Sequence, residues 1–446
     1  MGRGAQGENS EAKVSRPLKE VTWGEVKEKT SKDAMWVVID NEVYNITNWV
    51  KRHPGGERVL KHYAGQDATD ASKAFHNDLG LVKKYMKPIH VGSVKESEQI
   101  KDEVENDFRE VRETARKMGL FKPSAFFYVA SLIHILVFYG ASWLILYKYG
   151  TGWLPWLAAL TCFVISQVQL GWSQHDYGHK SVFKTNSKTL DKMLHYFTAG
   201  FLKGMPPEWW NNMHRQHHAK PNVIDKDPDV RTEALFLLGD TLPVEWAKKQ
   251  GDKMLVPYNL QNYYFFLLGP PLIIGFYWPA ATVYYLLKKK SPLQTAVVVG
   301  YYLQTALLFG PLLGFWGFIK FSIIERLLES NWFSWVSTIN HVPMGIEEET
   351  GEDWFRLQVG HTCNLSSDTF KDWFTGHLNY QIEHHLFPTM PRHNLPKVAP
   401  LVRSVCEKHG ISYQVKTFTE GITDTVRSLK KSGELWSQTR SELLAQ

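Results

Sequence analysis

Four long stretches without a formal charge constrain this chain more than any other feature of its sequence. The first stretch, residues 126–147, holds 22 residues, enough to cross a hydrocarbon layer about 30 Å thick. The others occupy residues 153–172, 263–287 and 295–319. The alternative is that a stretch is a buried helix of a soluble core, but each stretch is longer than such helices usually are. Short connections join them in pairs, so we predict four transmembrane helices in two hairpins.

Two hairpins place the remaining segments, residues 1–125, 173–262 and 320–446, on the same side of the membrane. The first 20 residues are polar and lack the apolar core of a signal peptide, which indicates that this side is cytosolic. One feature opposes this assignment, because residues 288–290 are three consecutive lysines that would lie on the far side. We expect an all-α membrane protein whose cytosolic segments form a helical cap over the spans.

Composition fits a membrane protein of a reducing compartment. Aromatic residues make up 13% of the chain, and Trp and Tyr gather at lipid interfaces. The three cysteines, Cys162, Cys363 and Cys406, are far apart in sequence, which argues against a disulfide framework or a thiolate metal site. A net charge of +6 suits an anionic membrane surface. Nothing else in the sequence indicates binding to nucleic acid.

The segment before the spans divides into three parts. Residues 1–17 are predicted to be a disordered tail, and residues 18–94 a compact unit with strands at WVVID and VYNIT. Residues 95–122 are highly charged, with sparse apolar positions at helical spacing, which is typical of a helical linker. Residues 123–446 then form the membrane domain.

A histidine motif lies in the compact unit. His53 begins the sequence HPGG, and His76 follows 23 residues later. Two neutral imidazoles can bind both axial sides of a haem iron, which favours electron transfer, although a lone HPGG could be a surface turn. With VYNIT and HYAGQDATD around these histidines, residues 18–94 resemble cytochrome b5. The resemblance implies a small α+β domain in which His53 and His76 bind haem b. His62 and His90 have no counterpart there and are expected at the surface.

Seven further histidines fall within three windows of five residues. Spacings of three and four residues place side chains on one face of a helix, so each window can present its imidazoles to a common point. A single window could hold ordinary structural histidines, but three windows beside span ends on one membrane side favour a metal centre. The windows are His175–His179, His214–His218 and Gln381–His385.

The donor set does not choose the metal, because imidazole suits iron, zinc, copper and nickel. A structural zinc site usually closes with four ligands and often uses cysteine, whereas these windows offer enough nitrogens for two ions. An oxygen-activating iron pair needs electrons, and a fused haem domain supplies them, so we predict two non-haem irons. Asp176 and Glu383 could fix imidazole tautomers or be solvated acids, and Asp225, Asp227 and Asp229 are expected in a loop.

Several motifs carry a second resemblance. HDYGH, HRQHHAKPN, DKDPDV, LESNWFSWV, NHVPM and GHLNYQIEHHLFPTMPRHN are together similar to the front-end fatty acid desaturases that carry a fused cytochrome b5. The resemblance runs through nearly the whole chain and is greatest to the animal delta-5 and delta-6 polyunsaturated acyl-CoA desaturases. It implies oxygen-dependent insertion of a cis double bond between an existing double bond and the carboxyl end of a fatty acyl-CoA. Membrane lipid, O2 and an NADH-dependent cytochrome b5 reductase are the implied partners, and the endoplasmic reticulum membrane the implied location.

The same resemblance implies the metal ligands. Gln381 stands where the wider family usually has histidine, and it could bind metal or a bound water. His341 in NHVPM matches a family ligand outside the windows, although a buried hydrogen-bonding role is the alternative. His377, four residues before Gln381, is expected on the same helical face and is at most a supporting residue. His361 is not expected to bind metal, and His134 is expected to serve packing. The predicted ligands are His175, His179, His214, His217, His218, His341, Gln381, His384 and His385.

Two other functions remain open at this point. A sphingolipid desaturase or fatty-acyl hydroxylase could use the same ligands, and a membrane-anchored electron carrier could lack catalysis altogether. An electron carrier would need only one anchor and no second metal site. The choice between delta-5, delta-6 and dual regioselectivity depends on residues along the acyl tunnel, which the sequence does not identify.

Overall fold

The computed structural model describes residues 19–183, 188–250 and 256–445, so the tail predicted at residues 1–17 lies outside the described residues. The chain begins with a four-stranded sheet in the order β1-β4-β3-β2. β2 and β3 pair antiparallel across a tight turn at Asp40 and Asn41, whose φ values are 52° and 61°. β4 pairs antiparallel with β3 and parallel with β1. The strands are β1 (Glu20–Val21), β2 (Trp36–Ile39), β3 (Glu42–Asn45) and β4 (His90–Val94).

Short helices complete this N-terminal unit and surround its haem motif. One small core of valines fills the side of the sheet against α1. The other helices follow β3 and carry or flank the two histidines of the motif, as a haem-binding α+β unit requires. These helices are α1 (Trp23–Lys27), α2 (Glu57–Lys61), α3 (Thr69–Phe75) and α4 (Leu79–Met86).

The segment predicted to be a linker contains α5 (Glu103–Lys117), which packs against the rest of the chain. Its side chains at helical spacing, including Val104 and Phe108, are buried in a hydrophobic cluster shared by the N-terminal unit and the C-terminal part. Asp70 of the N-terminal unit forms ion pairs with two arginines of α5, Arg109 at 2.9 Å and Arg112 at 3.3 Å. The linker therefore fixes the N-terminal unit in place, which its charged sequence did not predict.

Three helices are long and apolar enough to cross a membrane, as the uncharged stretches predicted: α6 (Ala125–Tyr149), α7 (Trp153–His179) and α14 (Pro292–Thr338). Large apolar side chains on α6 and α14 point outwards, for example Phe126 at 84% and Trp316 at 78% exposure. Such side chains require a lipid environment. α7 extends about two turns past the predicted end of its span and carries the first histidine window.

The third uncharged stretch is not a straight helix. It consists of α11 (Gln261–Leu268), α12 (Pro270–Leu272), a π-helical turn (Ile273–Tyr277) and α13 (Trp278–Lys289). The two halves are bent by 48°, so the described residues contain three possible spans, or four if this bent pair is one. Gly269, Pro270 and Pro271 cause the break, because proline cannot continue the helical hydrogen bonds. The N–H of Ile274 is instead satisfied by the Ser330 hydroxyl at 2.9 Å.

α14 also differs from its prediction, because it runs well past residue 319. Gly314, at φ 68°, interrupts it where the apolar stretch nears its end, and a residue with a side chain would be strained there. After this kink the helix continues to Thr338 and leads into the segment of His341. Trp172 of α7 stacks on Phe333 of α14, with ring centroids 5.0 Å apart, so the C-terminal parts of these two helices pack together.

The remaining elements form the cap over these ends. A short parallel pair, β5 (Asn364–Leu365) with β6 (Val415–Lys416), corrects the expectation that this domain is entirely helical. It ties the segment before the third histidine window to the segment before the last helix. The cap helices are α8 (Lys188–His195), α9 (Pro207–Ala219), α10 (Thr241–Gln250), α15 (Trp354–Gly360), α16 (Thr369–Thr375), α17 (Gln381–Leu386), α18 (Leu395–His409) and α19 (Phe418–Leu444).

Candidate metal centre

The two histidines of the HPGG unit face each other, with ring centroids 6.0 Å apart. Two metal–nitrogen bonds of about 2 Å each account for most of that separation. Nδ1 of His53 lies 3.3 Å from the Gly56 carbonyl oxygen, and Nδ1 of His76 lies 2.8 Å from that of Ser72. A carbonyl oxygen only accepts, so each Nδ1 carries the proton and each neutral ring keeps its Nε2 lone pair. The residues present therefore fit a haem iron.

The glycines of the motif have a steric reason. A Cβ on Gly55 would lie 2.6 Å from Cε1 of His53, and Gly56 has φ 105°, which side-chain-bearing residues rarely adopt. Burial and the neighbouring His76 lower the pKa of His53 to about 4. Its imidazole is therefore neutral at physiological pH, as an axial ligand must be.

The three histidine windows meet in space although they are far apart in sequence. The first ends α7, the second occupies the last two turns of α9, and the third forms most of α17. Five histidines form one group and three form another, and within each group the ligand atoms lie within 4.8 Å of one another. The first group is His175, His179, His214, His218 and His384; the second is His217, His341 and His385.

The first group has the geometry of a metal site. Nε2 of His214 lies 3.0 Å from Nε2 of His175, 2.9 Å from that of His179 and 3.0 Å from that of His218. A hydrogen bond can explain one such contact, but four convergent nitrogens cannot all pair with one another. Two ligands at right angles around a metal, each at about 2.1 Å, have nitrogens about 3 Å apart. The first group therefore fits a metal cation bound by several imidazole nitrogens.

The second group has fewer imidazoles and one amide. Gln381 Nε2 lies 2.8 Å from Nε2 of His341, which places the amide beside the imidazole that the sequence predicted as a ligand outside the windows. Gln381 Oε1 and His385 Nε2 are buried, without a hydrogen-bond partner among the described residues. Unpaired buried nitrogens and oxygens are costly, and a second cation held by this group would satisfy them.

Two side chains that the sequence did not assign to the metal centre fix the imidazoles. Asp227 Oδ2 lies 2.8 Å from Nδ1 of His217, and Gln358 Oε1 lies 2.9 Å from Nδ1 of His385. Both acceptors are buried, and both leave Nε2 of the histidine to face the metal. The loop prediction for residues 225–229 was right for Asp225 but missed the contact of Asp227. The acidic sequence DKDPD could have indicated the role of Asp227, whereas nothing in the sequence indicates the role of Gln358.

Electrostatics favour neutral ligands over most of the centre. Burial, together with the surrounding histidines, lowers the pKa of His214, His218, His341, His384 and His385 well below the ordinary value. His217 is different. Burial lowers its pKa, but the carboxylates of Asp227 and Asp229 raise it more, to about 9. The same carboxylates would make this imidazole a more basic ligand.

The two acids inside the windows, Asp176 and Glu383, do not form hydrogen bonds with the ligand imidazoles. Asp176 forms an ion pair with Arg392 at 3.2 Å, and its oxygen is 4.0 Å from Nδ1 of His175, too far for a hydrogen bond. Glu383 accepts from Tyr413 Oη at 2.7 Å and Asn364 Nδ2 at 2.8 Å. Both acids are buried, so neither is a solvated acid. They brace the windows without contacting ligand nitrogens.

The remaining histidines lie outside both groups. His134 accepts from the Trp373 indole at 3.2 Å, and His361 bonds the Gly345 carbonyl. His377 has φ 66° and precedes α17, so it does not share a helical face with Gln381, contrary to the prediction. His62 is 9% exposed rather than at the surface, because α2 packs against α9, and His90 is partly buried beside Glu42.

Comparison with known proteins gives this arrangement a family. The model of the fatty acid desaturase family matches residues 151–417, which hold all three windows, His341 and both acceptors. The chain belongs to the fatty acid desaturase family. A second model, the cytochrome b5-like haem/steroid binding domain, matches residues 22–95 of this desaturase. Among solved structures, cytochrome b5 of Ostreococcus tauri virus 2 is 31% identical, covering 17% of this chain and 98% of that one, with a TM-score of 0.17.

These matches establish the general class. The desaturase is an oxidoreductase with an N-terminal cytochrome b5-like domain that implies haem, and its family and apolar helices suggest a membrane protein. Its histidine groups suggest a di-iron site. The predicted resemblance to cytochrome b5 and to fatty acid desaturases is thereby confirmed at the level of the two families.

Proposed function

We propose that this desaturase is a front-end acyl-CoA desaturase acting on polyunsaturated chains at the delta-5 or delta-6 position. The observation that carries the proposal is the pair of histidine groups, five and three imidazoles, beneath a bis-histidine haem unit. A hydrolytic metal centre needs no electrons, whereas an oxygen-activating centre needs an electron donor nearby.

The reaction class fixes what the site has to provide. Each new double bond removes two hydrogens from neighbouring methylenes, and these join two electrons and two protons in reducing O2 to two waters. When bound, the two irons supply oxygen activation and the haem supplies electrons one at a time. One iron would be held by the first group, His175, His179, His214, His218 and His384. The other iron would be held by the second group, His217, His341 and His385, with Gln381 as a ligand or as a hydrogen-bond partner of a bound water.

The protein's own contribution is position and protection. An unactivated methylene offers no polar handle, so the enzyme has to select one pair of carbons by holding the acyl chain. Asp227 and Gln358 hold the imidazoles of the second group in one tautomer and orientation. All histidines of the two groups except His214, which is partly buried, are almost fully buried, which keeps bulk water away from the reactive centre.

Substrate class and regiochemistry rest on resemblance. The motifs NHVPM and QIEHHLFPTMPRHN, with Gln381 in the third window, are similar to those of animal delta-5 and delta-6 enzymes. We further propose the endoplasmic reticulum membrane as the location, with both termini and the metal centre cytosolic. An NADH-dependent cytochrome b5 reductase would then reduce the haem from the same side.

Product analysis in yeast tests the proposal. Cells expressing the chain are fed candidate polyunsaturated acids separately, and lipids are examined for new double bonds and their positions. We expect one new cis bond on the carboxyl side of an existing bond. His384→Ala, with membrane insertion unchanged, should abolish it, while His361→Ala should preserve it because that side chain lies outside both groups.

The rival functions give different results. A sphingolipid desaturase would leave fed acids unchanged and alter the long-chain base, and a hydroxylase would yield hydroxy acids. An electron carrier would contain haem iron and no other metal. Purified protein with haem iron alone would therefore overturn the proposal.

A further inference from the structure

Two hydrogen bonds join the haem unit to the metal centre at residues next to ligands on both sides. Asn77, directly after His76, donates from Nδ2 to the Lys180 carbonyl oxygen at 3.0 Å, and Lys180 directly follows His179. Arg215, directly after His214, donates from a terminal guanidinium nitrogen to the Pro54 carbonyl oxygen at 3.4 Å. Each haem ligand is therefore connected to an iron ligand through neighbouring residues and one hydrogen bond.

Further contacts hold the haem unit over the same windows. The Tyr63 hydroxyl donates to the Ala219 carbonyl at 2.7 Å, and Ala219 directly follows His218. Thr389, four residues after His385, donates from its hydroxyl to the Ala74 carbonyl at 3.1 Å. The contacts thus reach the segments of all three windows. Ion pairs of Asp70 with α5 anchor the unit from another side.

We propose that Asn77 and Arg215 are positioning residues for electron transfer within one chain, from the haem of the N-terminal unit to the metal centre. This inference rests on the proposed function. In each transfer one electron leaves ferrous haem, which becomes ferric, and one ferric iron of the pair becomes ferrous. An external reductase of the NADH-dependent class then reduces the haem again, and two transfers serve each double bond.

The placement of two hydrogen bonds, Asn77 to Lys180 and Arg215 to Pro54, which we call the bridges, gives this route its physical basis. Electron transfer through protein slows steeply with distance and passes more readily along bonded atoms than across gaps. The bridges shorten the unbonded part of the route to a single hydrogen bond on each side of the haem. Asn77 is exposed and Arg215 partly buried, so neither belongs to the apolar core that docks the unit. Their loss should change the route while leaving the docking largely intact.

The experiment uses the full-length holoprotein in detergent, with haem and iron content measured for every variant. The variants are Asn77→Asp, which cannot donate to a carbonyl, Arg215→Gln, and both together. Asn106→Asp and Arg427→Gln are the matched controls, because both residues are exposed and lie away from the bridges. The haem is reduced without air and mixed with O2 and substrate, and its reoxidation is followed by absorbance.

We expect haem reoxidation in the double variant to be slower by about tenfold or more, with an unchanged haem spectrum, reduction potential and rate of reduction by the reductase. Arg215→Lys, which keeps a donor, should recover part of the rate. In the unsubstituted protein the rate should not depend on protein concentration. Amide hydrogen exchange around residues 53–56 should rise only modestly, as expected if the unit stays docked.

Two results would overturn the inference and leave the proposed function standing. One is reoxidation at the unsubstituted rate in the double variant, and the other is a rate proportional to protein concentration, which would show transfer between molecules. A protein without non-haem iron and without new double bonds would instead contradict the proposed function itself. If the double variant were lost to misfolding, the single variants Asn77→Asp and Arg215→Gln would carry the same comparison.

Discussion

Asp227→Asn tests whether a buried carboxylate holds the second metal group together. In the structure Asp227 Oδ2 accepts from His217 Nδ1 at 2.8 Å and from the Asn222 N–H at 2.7 Å, while Oδ1 accepts from the Asp229 N–H at 2.9 Å. An amide has only one acceptor oxygen. In its better orientation the amide nitrogen would face the Asp229 N–H, leaving a partly buried donor unpaired at a cost of at most about 1 kcal/mol.

The larger effect should be on metal binding. Replacing such a partner of a ligating histidine, here a carboxylate by a neutral amide, typically weakens metal affinity about 10–100-fold, or about 1.4–2.7 kcal/mol at 1.36 kcal/mol per tenfold change. The assay is the ratio of non-haem iron to haem after dialysis against a graded chelator. We expect Asp227→Asn to lose about half of its non-haem iron at chelator levels that leave the unsubstituted protein loaded. Haem content should not change.

Asp225→Asn is the matched control. Asp225 lies in the same loop, its side chain is 89% exposed, and it pairs only with Arg231 among the described residues. Its φ of 65° suits asparagine as well as aspartate. Equal iron retention by Asp227→Asn and Asp225→Asn would refute the role of Asp227.

Three further outcomes are expected. Gln358→Leu removes the acceptor of His385 Nδ1, so iron should be lost and desaturation should fall about 10–100-fold; unchanged iron content would contradict this. Burial, with Lys226 and Lys220, lowers the pKa of His62 to about 4, so the unfolded chain binds the proton first as pH falls below about 6.5. At pH 5 the folded state should lose about 2 kcal/mol relative to pH 7.5, and thermal unfolding of His62→Asn should lack that loss. Lys203→Met breaks a buried pair with Glu329 and should cost about 3 kcal/mol, measured as a lower unfolding temperature than for exposed Lys192→Met.

The apolar helices and the metal ligands could be predicted because local chemistry determines them. Uncharged stretches of over 20 residues have few stable environments besides a bilayer, and imidazoles at helical spacing have few joint uses besides a metal. The structure brings together all eight predicted histidines and places Gln381 beside them. Whether each one binds iron remains a prediction that metal analysis of the variants can test.

The bends and the bracing residues could not be predicted in the same way. Gly269 with Pro270 and Pro271 marks a break, but neither its 48° angle nor the acceptor of the Ile274 N–H, Ser330, 56 residues after Ile274, can be read from the local sequence. Gln358 looks like any glutamine in the sequence, and only the approach of α15 to α17 makes it the acceptor for His385. His377 was misjudged because a left-handed residue before α17 changes the face that helical spacing implies.

By itself the sequence determined the composition of this protein's working parts: apolar spans, a bis-histidine haem unit and three histidine windows. Those features are local, since each depends on residues within a few turns of one another. The tertiary structure decided the rest: the division of the histidines into groups of five and three, the side chains that accept hydrogen bonds from their Nδ1 atoms, and the docking of the haem unit. They depend on contacts between separate elements of the chain, for example 10 positions apart for His217 and Asp227 and 161 for Arg215 and Pro54, and spacing along the chain holds no record of such contacts.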